Sequence, residues 1–257
     1  MARFKVQEVS KVYDGSDPTV TLKDINLQVE DGEFICILGP SGCGKSTLLE
    51  LLAGLQKTSS GHIYLDNEEL TGPNKKLGVV FQDPSLYPWR TISKNVGIGL
   101  EFNHHHKKEI PDLVEKYLKL VGLEPFASKY PHQLSGGMRQ RAGIARALVG
   151  SPEVLLMDEP FGAVDHLTRL NLQDDLIKIW EKENNTIVFV THDVSEAVYL
   201  ADRVVLLTPR PGKVQEIFPI HVSRPRKRDD VVLLDIQNKI YHSIYDVRTS
   251  EDLEYTI

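Results

Sequence analysis

Residues 39–47 are Gly39-Pro40-Ser41-Gly42-Cys43-Gly44-Lys45-Ser46-Thr47, and they directly follow the apolar run Phe34-Ile-Cys-Ile-Leu38. The apolar run predicts a buried strand, and the apolar positions of Leu48–Ala53 predict a helix after the glycine-rich stretch. Glycines let backbone N–H groups point at a ligand without a clash from Cβ, and a helix N-terminus adds partial positive charge. The order of strand, glycine-rich turn and helix therefore predicts an anion-binding loop.

The spacing of this loop fits the phosphate-binding pattern G-x-x-x-x-G-K-[ST]. In such a loop Lys45 is predicted to reach the β- and γ-phosphates, and the Ser46 hydroxyl is predicted to bind Mg²⁺. The alternative is a glycine-rich turn without a ligand, which the flanking strand and helix and the Lys-Ser pair disfavour. We therefore expect residues 39–47 to hold a nucleoside triphosphate.

The composition is that of an ordinary globular protein, with 257 residues, 41% hydrophobic and 26% charged. A net charge of −6 gives no electrostatic reason to expect nucleic acid as a partner. The two cysteines, Cys36 and Cys43, do not suggest a disulfide framework and are typical of a reducing cytosol. The start of the chain lacks the apolar core of a signal peptide, and we expect no membrane-spanning helix. Any membrane role would then depend on a partner.

The distribution of apolar residues predicts an α/β fold. Partial alternation in residues 1–33, with a turn at Asp14–Pro18, predicts an N-terminal antiparallel β region. The continuous apolar runs Phe34–Leu38, Val154–Met157 and Ile187–Val190 are typical of central strands buried on both faces of a parallel sheet. The fold class is therefore predicted to be a phosphate-loop NTPase core of mostly parallel sheet.

The chain is predicted to form one domain, residues 1–257, with an insertion. Residues 84–150 are predicted to be a helical subdomain, since Ile110–Val121 has an apolar stripe at helical spacing and stops at Gly122. The α/β core then consists of residues 1–83 and 151–210.

The remaining residues, 211–257, are predicted to be a C-terminal extension. Arg203–Leu207 is expected to be the last strand of the core, and residues 231–245 have the spacing of an amphipathic helix. The basic run between Arg224 and Arg228 could contact lipid headgroups or nucleic acid. Because Asp229 and Asp230 follow it, we favour a solvated connector.

A second motif, Val154-Leu-Leu-Met-Asp158-Glu159-Pro160, places two carboxylates at the end of a buried strand. Adjacent strand residues point to opposite faces, so the two acids are expected to have different roles. Asp158 is predicted to bind Mg²⁺ and Glu159 to polarise the attacking water. The alternative, a strand that ends in a solvated acidic turn, loses weight because a phosphate loop is present in the same chain.

A third motif, Leu134-Ser135-Gly136-Gly137-Met138-Arg139-Gln140, opens a predicted helix and would form a second anion site. With this motif the sequence resembles the ATP-binding cassette (ABC) ATPases, of which it is the signature in near-standard form. The resemblance covers almost the whole chain, with the motifs in the expected order. It implies that ATP and Mg²⁺ lie between two copies of the chain in a head-to-tail homodimer, with Ser135, Gly136 and Gly137 facing the ATP of the other copy.

The resemblance implies roles for four further residues. Tyr13 would stack on adenine, and Gln82 would contact Mg²⁺ and water and sense the membrane partner. Asp165 would lie in a loop that crosses the dimer interface, and His192 would contact the γ-phosphate. Each has a plainer alternative: Tyr13 could pack on the core, Gln82 could cap a turn before Pro84, and His192 could be an ordinary surface residue.

Without fused membrane spans, the chain is similar to the separate ATPase subunits of prokaryotic importers. Residues 82–100 resemble the groove that accepts a permease subunit, with Leu86, Tyr87, Trp89 and Ile92 as apolar anchors, although a role in the subdomain core is the alternative. The late stretch Ser-Arg-Pro-Arg-Lys-Arg and the Pro-Trp pair are similar to the branch that imports nitrate, sulfonates, taurine and bicarbonate. This resemblance implies a peripheral protein on the cytoplasmic face of the membrane, with a solute-binding protein as an indirect partner.

Other members of the family remain as alternatives. The chromosome-maintenance and DNA-repair ATPases separate the phosphate loop from the signature by long coiled coils, and no heptad array occurs here. Soluble translation-associated proteins carry two cassettes in one chain, and this chain has one. The ATPase of an exporter or of another membrane complex stays open, because its sequence would look similar.

Overall fold

The computed structural model describes residues 2–15, 17–102, 106–162 and 164–254, and side chains within these ranges except for residue 2 and residues 246–254. The chain divides into two compact units. The first consists of Met1–Gly72 and Val188–Ile257, and the second of Pro73–Ile187. Each unit contains part of an α/β arrangement.

The described residues form ten strands and eight α-helices. The strands are β1 (Ala2–Tyr13), β2 (Thr19–Glu30), β3 (Phe34–Leu38), β4 (Ser60–Leu65), β5 (Glu68–Glu69), β6 (Leu77–Val80), β7 (Val154–Asp158), β8 (Thr186–Thr191), β9 (Arg203–Leu207) and β10 (Val214–Pro219). The helices are α1 (Lys45–Leu52), α2 (Ile92–Val96), α3 (Ile98–Phe102), α4 (Ile110–Leu120), α5 (Gly136–Leu148), α6 (His166–Glu183), α7 (Val194–Leu200) and α8 (Val231–Glu254). Short 3₁₀ turns occur at Glu124–Phe126 and Pro131–Gln133.

The first unit contains an antiparallel sheet and part of a mixed one. The antiparallel sheet has the order β2-β1-β4-β5, and β1 pairs with both β2 and β4. In the other sheet the order is β10-β9-β3-β8, with β3 parallel to β9 so that Ile35 lies opposite Arg203. Every residue of β3 and β8 is buried, which explains why their sequences are continuously apolar rather than alternating.

The second unit contains the strand order β8-β7-β6, because the division of the chain falls within β8. Strands β6 and β7 are parallel, with Leu77 opposite Val154 and Val80 opposite Met157. Helices α2 to α6 belong to this unit. The predicted fold class is therefore confirmed: parallel pairs form the core, and the N-terminal β region is antiparallel.

One sequence expectation about the sheet is wrong. Arg203–Leu207 is not the last strand, because β10 follows it and pairs antiparallel with β9. Among the residues of β10 only Phe218 is buried, so the strand lacks the apolar pattern that would reveal it. At the C-terminal end α8 begins at the predicted residue 231 and continues to Glu254, with Leu233 and Ile240 buried. No described helix combines the length and the apolar character that crossing a bilayer requires.

The basic run at 224–228 is also not the solvated connector that the sequence suggests. Arg226 is 7% exposed, and its Nη1 donates to the carbonyl oxygens of Val198, Tyr199 and Ala201 at 3.1, 2.9 and 2.7 Å. Burial lowers the pKa of Arg226 to about 10, so the guanidinium stays charged at neutral pH. A cation at these carbonyls satisfies acceptors that the end of α7 leaves without intrahelical partners.

We expect Arg226→Ala to lower the free energy of unfolding by about 2–4 kcal/mol, because buried carbonyl groups would lose a charged donor. Urea unfolding followed by circular dichroism measures the loss. The matched control is Lys227→Ala, which removes an exposed cation one position away and should change stability by about 0.5 kcal/mol or less. Equal stability of the two variants would contradict this role for Arg226.

Within the second unit, α5 approaches α6 at a position where only glycine fits. A Cβ on Gly137 would lie 2.6 Å from Cγ2 of Thr168, closer than carbon atoms can pack. Thr168 lies in the first turn of α6, and its branched side chain has restricted rotamers in a helix. The glycine of the signature therefore has a packing role besides any role in binding.

We expect Gly137→Ala to destabilise the protein by about 1–3 kcal/mol through overpacking. In the double variant with Thr168→Ser the obstructing methyl group is absent, so most of this loss should be recovered. Thermal or urea unfolding of the four proteins of this cycle measures the coupling. Equal losses with and without Thr168→Ser would show that this methyl group is not the obstacle.

Candidate nucleotide-binding site

The glycine-rich loop joins β3 to α1 in the first unit, as the sequence predicts. Gly44 is the N-cap of α1 with φ of 103°, a left-handed conformation that side chains disfavour. A Cβ at this position would also lie 2.7 Å from Cδ2 of Leu22. Both the conformation and the packing therefore require glycine at the last position before the helix.

Lys45 begins α1 and is 5% exposed. Its Nζ donates to the carbonyl oxygens of Gly39 at 2.9 Å and Pro40 at 3.0 Å, which holds the ammonium group inside the loop. Ser46, the next residue, is exposed in the first helical turn. A cation and a helix N-terminus at the same place give the loop a positive potential suited to phosphate.

Tyr13 ends β1 and lies beside the loop. Its hydroxyl donates to Oε1 of Gln56 at 3.0 Å and lies 3.4 Å from Oγ1 of Thr47. The ring is 39% exposed, and Nζ of Lys11 lies 5.1 Å from its centroid. The hydroxyl contacts fix the orientation of the ring while part of its surface stays accessible, as stacking on a base requires.

His192 follows the last residue of β8 and is exposed. It lines a cavity of about 760 Å³ together with Gly39, Pro40 and Ser41 of the loop. Helix α8 contributes Tyr241 and Tyr245 to the same cavity, and no motif in the sequence predicts this because α8 lies far along the chain. Burial, together with the nearby Asp193 carboxylate, raises the pKa of Tyr241.

In the second unit β7 ends at Asp158, and Glu159 follows with φ of 40°. The next turn brings Glu159 near Gln82, because both side chains surround Gly162. A Cβ built on Gly162 would lie 3.3 Å from Nε2 of Gln82 and 4.0 Å from Oε2 of Glu159. A glycine at 162 thus leaves room for an amide and a carboxylate to share one small space.

Ser135 of the signature and Asp165 of the predicted interface loop are both helix N-caps in this unit. Ser135 is the N-cap of α5, and its side chain accepts from the Met138 N–H at 3.3 Å. Asp165 is the N-cap of α6, and hydrogen bonds from Thr168 lower the pKa of its carboxyl group. Gly136 and Gly137 are therefore the first two residues of α5, where backbone N–H groups lack intrahelical acceptors.

The predicted residues thus form two sets. The first unit contains Tyr13, residues 39–47 and His192, and the second contains Gln82, Ser135, Gly136, Gly137, Asp158, Glu159 and Asp165. The structure adds that Glu196 is 5% exposed and accepts from the Thr191 hydroxyl, a contact that no linear pattern reveals.

Comparisons with known proteins show the family of this chain. A family model described as ABC transporter matches residues 22–162. An uncharacterized ABC transporter ATP-binding protein of Methanocaldococcus jannaschii is 49% identical over 95% of this chain and 92% of its own length. An aliphatic sulfonates import ATP-binding protein, SsuB, of Bacillus cereus is 43% identical over 91% of this chain and 93% of its own length.

Solved structures that resemble this chain are also ATP-binding cassettes or parts of ABC transporters. A dimeric ATP-binding cassette in a post-hydrolysis state, bound to ADP and Pi, has a TM-score of 0.76 and 34% identity, and it covers 86% of this chain and 100% of its own. The protein cbiO1 of Clostridium perfringens, part of the ABC transporter complex cbiONQ, has a TM-score of 0.76 and 32% identity, with 85% and 88% coverage. This chain therefore belongs to the ABC transporter family, and it is an ATP-binding-cassette ATPase subunit.

Proposed function

We propose that this chain is the ATPase subunit of a membrane importer and that two copies, head to tail, enclose ATP. The main support for ATP hydrolysis is that the side chains of Gln82 and Glu159 both lie close to Gly162. The same chain has a phosphate loop in which Lys45 is buried. An amide and a carboxylate in one small space are the groups that positioning and polarising a water molecule require. The relatives named for sulfonate import support the direction of transport.

In the proposed complex the loop at residues 39–47 holds the phosphates of ATP. Lys45 would exchange its two carbonyl acceptors for phosphate oxygens, which a flexible side chain can do without movement of the backbone. Backbone N–H groups of the loop and of the α1 N-terminus would complete the contacts. The exposed ring of Tyr13 would stack on the adenine, held by its hydroxyl contacts to Gln56 and Thr47.

Ser46, Gln82 and Asp158 would supply the oxygen ligands of a magnesium ion in this proposal, because Mg²⁺ prefers hard oxygen donors and is held by few protein groups beside phosphate. Mg²⁺ would neutralise charge on the β- and γ-phosphates when it is bound with ATP. The exposed hydroxyl of Ser46 and the half-buried carboxylate of Asp158 are both accessible to such an ion. Gln82 would provide a neutral ligand beside these two.

Hydrolysis in this proposal transfers the γ-phosphoryl group to water without a covalent enzyme intermediate. Glu159 would accept a hydrogen bond from the attacking water, and Gln82 would fix its orientation. His192 would donate to a γ-phosphate oxygen and so stabilise the charge that develops there. Most of the catalysis would come from position and electrostatics, as is general for phosphoryl transfer.

The proposed homodimer would give a role to the second anion site that the sequence predicts at the start of α5. Ser135, Gly136 and Gly137 at the start of α5 would contact the γ-phosphate held by the other copy, and Asp165 would lie near the boundary. ATP then favours the closed pair, and hydrolysis removes a contact between copies, which is a population shift driven by one phosphate. The dimeric solved relatives support this arrangement.

The permease surface is proposed to lie in residues 82–100 and to continue to Phe102. Trp89 is 71% exposed and Phe102 is 72% exposed, so both large side chains are accessible to a partner. Asn95 is fully buried, and its Oδ1 accepts a hydrogen bond from the Tyr87 N–H at 2.7 Å. Its Nδ2 donates to the carbonyl oxygens of Tyr87 and Arg90 at 3.1 and 3.0 Å. This amide fixes the turn that displays Trp89. Ile92 is not an anchor, because it is fully buried in the subdomain.

The proposed importer takes up a small solute, for which an anion such as a sulfonate, nitrate, taurine or bicarbonate is our choice. The support is the printed specificity of the SsuB relatives, since the ATPase itself need not contact the solute. In this proposal the chain lies on the cytoplasmic face of the membrane, bound to integral permease subunits. A solute-binding protein would be an indirect partner.

We expect Glu159→Gln to lower ATP turnover by about 100-fold or more, because the amide cannot accept the proton of the attacking water. The variant should still bind ATP and should form ATP-dependent dimers that the native protein forms only briefly. Phosphate release measures turnover, and light scattering after size-exclusion chromatography measures mass. The control Glu181→Ala removes an exposed carboxylate and should behave as the native protein. Native turnover in Glu159→Gln would overturn the proposed role.

We expect Trp89→Ala to weaken recovery of a multi-span permease when the tagged chain is purified from detergent-solubilised native membranes. The loss of a large anchor should reduce recovery by about tenfold, since such anchors dominate binding energy. Val231→Ala, which shortens a 78%-exposed apolar side chain on α8, is the control and should recover as much permease as the native chain. A permease together with export components would favour the exporter alternative, and recovery of nucleic acid or soluble proteins alone would overturn the transporter proposal.

A further inference from the structure

The turn that contains His192 is held from both sides by buried polar contacts. Thr191, directly before it, is 2% exposed, and its hydroxyl donates to Oε2 of Glu196 at 2.5 Å. The same hydroxyl oxygen accepts from the Asp193 N–H at 3.1 Å. The Thr191 hydroxyl therefore connects the residue before His192 to the residue after it and to a glutamate in the first turn of α7.

Asp193 adds a second restraint on the other side of His192. Its Oδ1 accepts from the backbone N–H groups of Ser195 at 2.9 Å and Glu196 at 3.1 Å, which makes it the N-cap of α7. The cap fixes where the helix begins, and the Thr191–Glu196 bond fixes how the strand enters it. The exposed imidazole of His192 therefore projects from a backbone whose neighbours on both sides are fixed.

Glu196 is an unusual residue to find in this place, because it is 5% exposed and a buried carboxylate costs several kcal/mol unless it is well paired. Glu196, Asp202, Arg224 and Arg226 all act electrostatically on the buried thiol of Cys36, so opposite charges lie in the same neighbourhood. This carboxylate is thus tolerated within a charged cluster and used to orient Thr191.

We propose that Glu196 and Thr191 are positioning residues for His192: the carboxylate holds the Thr191 hydroxyl, and that hydroxyl holds the His192 turn toward the phosphate loop. The cavity that His192 shares with Gly39, Pro40 and Ser41 supports this direction. The inference rests on the proposed contact between His192 and the γ-phosphate. Neither Thr191 nor Glu196 needs to touch ATP.

The test compares ATP turnover in Thr191→Val and Glu196→Ala with Thr191→Ser and Glu196→Gln. The first pair removes the hydroxyl or its acceptor and should lower kcat about tenfold or more, with KM for ATP changed by about twofold or less. The second pair keeps a hydroxyl and an oxygen acceptor and should retain turnover within about threefold of the native protein. Glu181→Ala, an exposed glutamate on α6, is the control for the loss of a carboxylate.

A second arm places Thr191→Val and Glu196→Ala in a His192→Ala background, which distinguishes positioning from general packing. If both residues act through His192, neither should lower kcat further by more than about twofold. Losses that multiply with that of His192→Ala, or native kcat in both single variants, would overturn this inference alone. Native turnover in His192→Ala itself would overturn the proposed role of His192 together with this inference.

Discussion

The buried positive charge of Lys45 is the constraint on which the phosphate loop depends. An ammonium group that is 5% exposed must be compensated, and the chain does this with the carbonyl oxygens of Gly39 and Pro40. The same charge lies at the N-terminus of α1, where the helix dipole disfavours a cation. An anion in the loop would offset the unfavourable interaction between the ammonium group and the helix dipole. The buried residues of β3 and α1 keep the loop folded despite it.

Much of the site could be predicted from sequence because buried strands exclude polar side chains. The interiors of β3, β7 and β8 are apolar, and the candidate functional groups follow where each strand ends: the glycine-rich loop after Leu38, Asp158 and Glu159 at the end of β7, and His192 after Thr191. In a parallel sheet these carboxyl ends are the natural place for ligands. The pattern thus predicts both the strands and the positions of the chemistry, without any knowledge of distances.

The features that could not be predicted from the sequence depend on contacts with residues that are distant along the chain. Strand β10 is half exposed and lacks an apolar pattern, so only its pairing with β9 identifies it as a strand. Arg226 stands in a basic run that suggests solvent exposure, but carbonyl groups at the end of α7 turn it into a buried residue. Ile92 and Trp89 are both apolar in one short segment, and only the fold makes one buried and the other exposed. Composition alone cannot distinguish such pairs.

The backbone of Glu159 gives a physical argument for the importance of its side chain. A left-handed φ of 40° costs a non-glycine residue about 1–3 kcal/mol, and here the turn that requires it is closed by the Gly162 N–H, which donates to the Glu159 carbonyl at 3.0 Å. Glycine at 159 would remove this cost and keep the turn. The chain instead has a glutamate whose carboxylate lies near Gln82 around Gly162. Backbone energetics and residue type therefore disagree at this position, as they do at seven other described non-glycine residues with positive φ. At Glu159 a requirement for the carboxylate, as in the proposed polarisation of water, would account for the disagreement.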